Sequence, residues 1–66
     1  MSFSEDIKRI RRKAFLTQED FAKEIGVSFA TVNRWENKQA LPSKLAVKSF
    51  LDFCENNFID TTDLED

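Results

Sequence analysis

Histidine and tyrosine are missing from this sequence, and glycine, proline and cysteine occur once each. Each scarcity removes a class of function. Without histidine, Cys54 has no imidazole to take its proton, and one thiol cannot assemble a zinc site of the usual cysteine and histidine kind. A lone cysteine also excludes a disulfide within the chain. Set in an apolar helical run, Cys54 reads as a reduced, buried thiol, which points to the cytoplasm. A single glycine cannot build a glycine-rich phosphate loop. No apolar run approaches the roughly 18 residues of a membrane span, and the basic stretch Lys8–Lys13 leads into no unbroken apolar segment, so no signal peptide is expected. The carboxylates are scattered over helix surfaces and the C-terminal end, where solvation is the default. Neither an enzyme nor a bound cofactor or metal is expected.

What is present fits a small helical domain. Sixty-six residues make one domain that buries only about 60% of its unfolded surface, so the core must be thin. Seven Phe and one Trp supply large side chains for it. The net charge of −2 argues against a polyanionic partner until the charges are located. All ten Lys and Arg fall in residues 1–48, where six acids leave +4, while residues 49–66 hold six acids and no base. A weakly basic body with an acidic end can still present a positive face.

The stretch from Thr17 to Asn37 organises the chain. Phe21, Ala22 and Ile25 share one face at helical spacing, Gly26 interrupts, Val27 follows as an apolar pin, and Val32 and Trp35 resume the pattern. Two short helices joined by a tight turn result. Thr17 is suited to cap the first, with Asp20 completing a short capping box, and Gly26 ends it in a left-handed conformation. Ser28 caps the second. Ala22 lets the two backbones approach where they cross.

The flanks follow the same logic. Ser4, followed by Glu5 and Asp6, reads as the N-cap of a helix from about Glu5 to Phe15, with Ile7 and Ile10 inward and Phe15 or Leu16 closing it. Pro42 stops the segment after Asn37, and Ser43 caps a further helix to about Asn56. Leu45, Ala46, Phe50, Phe53 and Cys54 are its core candidates, with Val47 and Leu51 further round. In the loop Lys38–Leu41, either Lys38 or Asn37 must take a left-handed conformation without glycine's freedom.

Gln18, Ala22, Gly26 and Val32, with the Leu16-Thr17-Gln18 opening, the Trp35-Glu36-Asn37 ending and Pro42-Ser43 beyond, resemble the phage repressor and Cro type of helix-turn-helix, the lambda-repressor-like, XRE family. The resemblance spans about residues 5 to 55. It implies an all-α, compact fold of four or five helices that binds double-stranded DNA in the major groove and regulates transcription, as a repressor dimer on an inverted-repeat operator. Residues 1–56 would form this domain, with helix two at 18–25 and the recognition helix at 29–37. Residues 57–66 would be an acidic tail or a short fifth helix. By the same resemblance Arg11 pairs with Glu36 to tie helix one to helix three, and Gln18 contacts a phosphate while bracing helix three. The loop 38–41 lacks the family's usual glycine and cluster of bases.

On a wheel of roughly 100° per residue, Ala30, Asn33, Arg34 and Asn37 cluster opposite Val32. That face is the candidate reading head. Arg34 suits a bidentate contact to guanine, Asn33 an adenine or a phosphate, and Phe29 with Ala30 the methyl group of thymine. For Phe29, packing between helices is an equal alternative. Ser28 and Lys38 are phosphate candidates. Phe50, Leu51, Phe53, Phe58 and Ile59 exceed the needs of one thin core and are candidates for a surface shared between two subunits, formed at least on DNA. The alternative function is a protein-interaction module, such as an antitoxin, with DNA binding secondary or absent.

Overall fold

The structure is a computed structural model that describes residues 3–59: α1 (Phe3–Lys13), α2 (Gln18–Ile25), α3 (Phe29–Glu36) and α4 (Lys44–Asn56). No strand occurs among these residues, and the fold is all-α. Helices α2 and α3 form the helix-turn-helix, α1 packs along α3, and α4 lies against α2. The tail or fifth helix considered for 57–66 falls, from residue 60 onward, outside the described residues.

Three hydroxyls start three of the helices. Thr17, Ser28 and Ser43 sit in extended backbone and accept the N–H of Asp20, Thr31 and Ala46 at 3.0, 3.1 and 3.1 Å. Each bond satisfies a donor that the first helical turn leaves without a carbonyl. Ser4 does not do the same for α1. The helix begins one residue earlier, at Phe3, and Ser4 is buried within its first turn. Packing explains the shift: the Phe3 ring stands edge-on to Trp35 and Phe50, with centroids 5.6 and 5.7 Å away.

Those rings belong to a chain of edge-to-face contacts that runs on through Phe21, 6.2 Å from Phe50 and 5.2 Å from Phe53. Such pairs contribute about 0.5–1.5 kcal/mol each beyond the area they bury. Ile7, Ile10, Ala22, Ile25, Val32, Ala46 and Cys54 complete the core. Phe50 and Phe53 are thus enclosed by their own subunit, and neither remains available to a shared surface. Of the other residues considered for that role, Leu51 and Phe58 are exposed and Ile59 is half-buried against the core. Leu45, placed in the core on periodicity, points outward because Ala46, Phe50 and Phe53 already cover α2 from the other side of the helix. Burial pushes the Cys54 thiol above its ordinary pKa.

All four helices end with an N–H that reaches back five residues to a carbonyl of the last turn, and three of them add a second bond reaching back three. After α1 the N–H of Phe15 bonds to Arg12 at 3.0 Å and that of Leu16 to Arg11 at 3.1 Å. After α3, Lys38 bonds to Trp35 and Gln39 to Arg34; after α4, Phe58 bonds to Glu55 and Ile59 to Cys54. At the end of α2 the N–H of Val27 reaches back to Ala22. This is the Schellman arrangement, and it needs a left-handed residue at each turn. Gly26 provides one at φ 78°, but Phe15, Lys38 and Phe58 adopt φ of 59, 62 and 56° with a side chain in place. Lys38 therefore takes the left-handed position and Asn37 keeps φ −93°. Phe15 does not close the core: it is 95% exposed, and Leu16 turns inward instead.

A left-handed conformation costs a residue with a Cβ about 1–2 kcal/mol. Phe15→Gly should raise stability by about 1 kcal/mol, because its exposed ring gives up no packing. Gly26→Ala should lower stability by about 1–2 kcal/mol through the backbone alone, since nothing lies within 4 Å of an added Cβ. In a domain of this size each 1 kcal/mol moves the melting temperature by about 4–8 °C, so thermal denaturation reads both. Neutral outcomes for the pair would contradict this account of the helix ends.

Candidate nucleic-acid interface

The geometry of the site rests on Glu36, the last residue of α3 and only 3% exposed. Its Oε2 accepts from Arg11 Nε at 2.7 Å, and its Oε1 accepts from Arg11 Nη2 and Gln18 Nε2, each at 3.0 Å. Arg11 also donates Nη1 to the Leu16 carbonyl at 3.0 Å. One carboxylate therefore joins α1, the turn after it, the start of α2 and the end of α3. Burial disfavours its charge, but the hydrogen bonds from Arg11 and Gln18 and the attraction of Arg11 and Lys8 outweigh that, so its pKa lies below the ordinary 4.5. The hydrogen bond to Glu36 raises the Arg11 pKa in turn, against the effect of burial.

Gln18 thus braces α3 from the first turn of α2. The Thr17 hydroxyl takes the Asp20 N–H, leaving those of Gln18 and Glu19 without an intrahelical acceptor and suited to an anion. Ser28 spends its oxygen on the α3 cap and lies 2.9 Å from the Thr31 hydroxyl.

Along α3, Val32 and Trp35 are buried, whereas Ala30, Arg34 and Asn37 are exposed and Asn33 is half-exposed. The inward pair comes from the wheel's core side and the outward set from its opposite side. Asn37 donates Nδ2 to Asn33 Oδ1 at 3.2 Å, a pairing one turn apart that the sequence reading overlooked although its spacing was visible. Phe29 is half-exposed at the start of α3, at 51%, and Lys38 is exposed just past its end. The Arg34 side chain makes no hydrogen bond or ion pair among the described residues. Its fork is open to solvent. Sequence reasoning also missed the Leu16 carbonyl as an acceptor, since a backbone partner leaves no mark on residue type. Among the described residues no helix is long and apolar enough to cross a membrane, and no cluster of carboxylates and thiol could hold a metal.

Removing Glu36 leaves Arg11, whose side chain is 15% exposed, without its counter-charge. Breaking such a largely buried pair costs about 3–5 kcal/mol, so Glu36→Ala should melt at a much lower temperature than Glu19→Ala, where an exposed acid is lost. The lowered pKa sets the sign of the pH effect. The contribution of Glu36 is fully present above its ordinary 4.5 and is lost as pH falls through the lower folded-state value. Circular dichroism through an acid titration should show this loss in the wild type and not in Glu36→Ala. Equal small effects of both substitutions would exclude a stabilising role for the pair.

The sequence model of the helix-turn-helix family matches residues 7–56. Neither the curated proteins nor the solved structures contain a match. The matched segment starts at the first core residue of α1 and ends with α4, and so takes in the whole Glu36 cluster and the outward face of α3. The chain therefore belongs to the XRE family of helix-turn-helix proteins, of phage repressor and Cro type, a DNA-binding family of transcriptional regulators.

Proposed function

We propose that the protein binds double-stranded DNA sequence-specifically, inserts α3 into the major groove and represses transcription as a homodimer on an inverted repeat. The observation that carries this reading is the outward face of α3. Ala30, Arg34 and Asn37 stand exposed on a helix whose far end is clamped by Arg11 and Gln18 through Glu36. A reading helix held from both sides presents base-contacting groups without first having to order its backbone. Gln18, Ser28 and Lys38 border it as phosphate contacts, and Phe29 with Ala30 adds apolar contact at its leading end. In this reading Asn33 and Asn37 exchange their mutual hydrogen bond for base or phosphate partners. The site of action is the cytoplasm, where the single buried thiol stays reduced.

A second reading is favoured by Leu41, Leu45 and Phe58, which are 88, 74 and 96% exposed and lie off the face of α3. They suit a protein partner, as in an antitoxin, or the second subunit together with Leu51 and Ile59. Selection from random duplexes separates the readings, because an interaction module has no need of sequence preference. A dimer contacting about six to eight phosphates should bind with a log–log salt slope of roughly −5 to −7. Sedimentation with the selected duplex should find two subunits per site. A flat salt response, or one subunit with and without DNA, would overturn the respective part.

Arg34 should discriminate more than any other residue. A bidentate contact to guanine is worth about 1–3 kcal/mol against the wrong base, so Arg34→Ala should relax preference at one base pair per half-site and leave the melting temperature nearly unchanged. Lys38→Ala should weaken all duplexes alike, because a phosphate contact positions without reading. Measuring both variants on every single-base change decides it; a uniform loss for Arg34→Ala would refute base reading.

A further inference from the structure

Four bases besides Arg11 lie on α1, and they are not equivalent. Arg9 and Lys13 take part in other interactions, and Arg12 is exposed. Lys8 stands one turn before Arg11, on the flank of α1 that meets the end of α3. Its side chain is half-buried, makes no hydrogen bond or ion pair among the described residues, and helps hold the Glu36 carboxyl ionised. That carboxylate is already engaged by Arg11 and Gln18, and Glu5, which lines an open groove with Lys8, Arg9, Arg12 and Lys13, makes no ion pair with Lys8 among the described residues, so the ammonium is left without a bonded partner.

A second observation extends the line. Lys38 shares a groove of about 460 Å³ with Phe3, Ser4 and Trp35, which places the turn after α3 beside the first turn of α1. Lys8 lies one turn on from Ser4, and Arg11 one turn further, where Gln18 begins α2. Lys38, Lys8 and the Arg11–Gln18 corner therefore follow one another along the seam between α1 and the end of α3. An ammonium without an ion pair, between two groups already proposed to flank the duplex, has the chemistry of a phosphate contact rather than of a structural pair.

We infer that Lys8 contacts the DNA backbone and extends the footprint of α2 and α3 along this seam by one phosphate per subunit. The inference rests on the DNA-binding reading of α3. Its test compares Lys8→Gln with Lys48→Gln, which removes the same charge from an exposed pair with Asp52 on α4, and with Lys8→Arg. Binding to the selected duplex and to a scrambled one is measured across salt, well below the melting temperature of each variant. Lys8→Gln should reduce the magnitude of the salt slope by about 0.9 per subunit, with the same fold loss on both duplexes. Lys8→Arg and Lys48→Gln should keep the wild-type slope. An unchanged slope in Lys8→Gln, or an equal drop in Lys48→Gln, overturns the inference while the DNA-binding reading stands. A wild type that binds neither duplex overturns both.

Discussion

A buried carboxylate cannot be left alone, and in this chain that constraint decides how the helices meet. Glu36 loses its water on folding and regains three hydrogen bonds from nitrogen donors on two other helices. Because charged hydrogen bonds are directional and the alternative is an unpaired buried charge, only a narrow range of helix placements satisfies it. Apolar packing alone would tolerate small rotations of α3 about its axis. The fork of Arg11, fixed in turn by the Leu16 carbonyl, does not. The orientation of Arg34 and Asn37 relative to α2 thus follows from a contact on the opposite side of the helix.

The remaining stability comes from a core built of few, large pieces. A run of rings from Trp35 through Phe3, Phe50 and Phe21 to Phe53 links the ends of α1 and α3 with the middles of α2 and α4. A short chain gains from this choice because an aromatic side chain buries much area while losing little rotamer freedom. Phe50 and Phe53 illustrate the consequence. Both looked in excess of what one subunit needs, yet a thin core without tyrosine and with a single tryptophan consumes both, while Phe15, Phe29 and Phe58 stay exposed.

Much of the centre of the molecule was legible in the sequence. Thr17, Ser28 and Ser43 announce their caps, Gly26 its turn, and the spacing of Phe21, Ala22, Ile25, Val32 and Trp35 the crossing of α2 and α3. The outward face of α3 followed from periodicity once Val32 and Trp35 were placed inside. The edges were harder. Ser4 carries the residue type of a cap but was overridden by Phe3, whose packing lies far away in sequence. Leu45 and Phe15 are apolar and outward, and periodicity treats every apolar residue as a core candidate. Three of the four helix ends use a left-handed residue that is not glycine, so hydrogen bonding and tertiary packing, rather than local propensity, hold them there. At the site, contacts between side chains could be anticipated where resemblance supplied both partners, as for Arg11 and Glu36, but contacts to backbone could not.

The bond between Asn37 and Asn33 has a consequence for how a duplex is read under the proposed function. In the free protein the Asn37 amide donates one hydrogen bond to the Asn33 oxygen, and that bond is lost when either group turns to a base. The free energy of changing one contacted position then depends on what occupies its neighbour. Under that function, binding energies at those two base pairs would not sum as independent letters, and the recognition code of this surface would be written in dinucleotides at that point rather than in single bases.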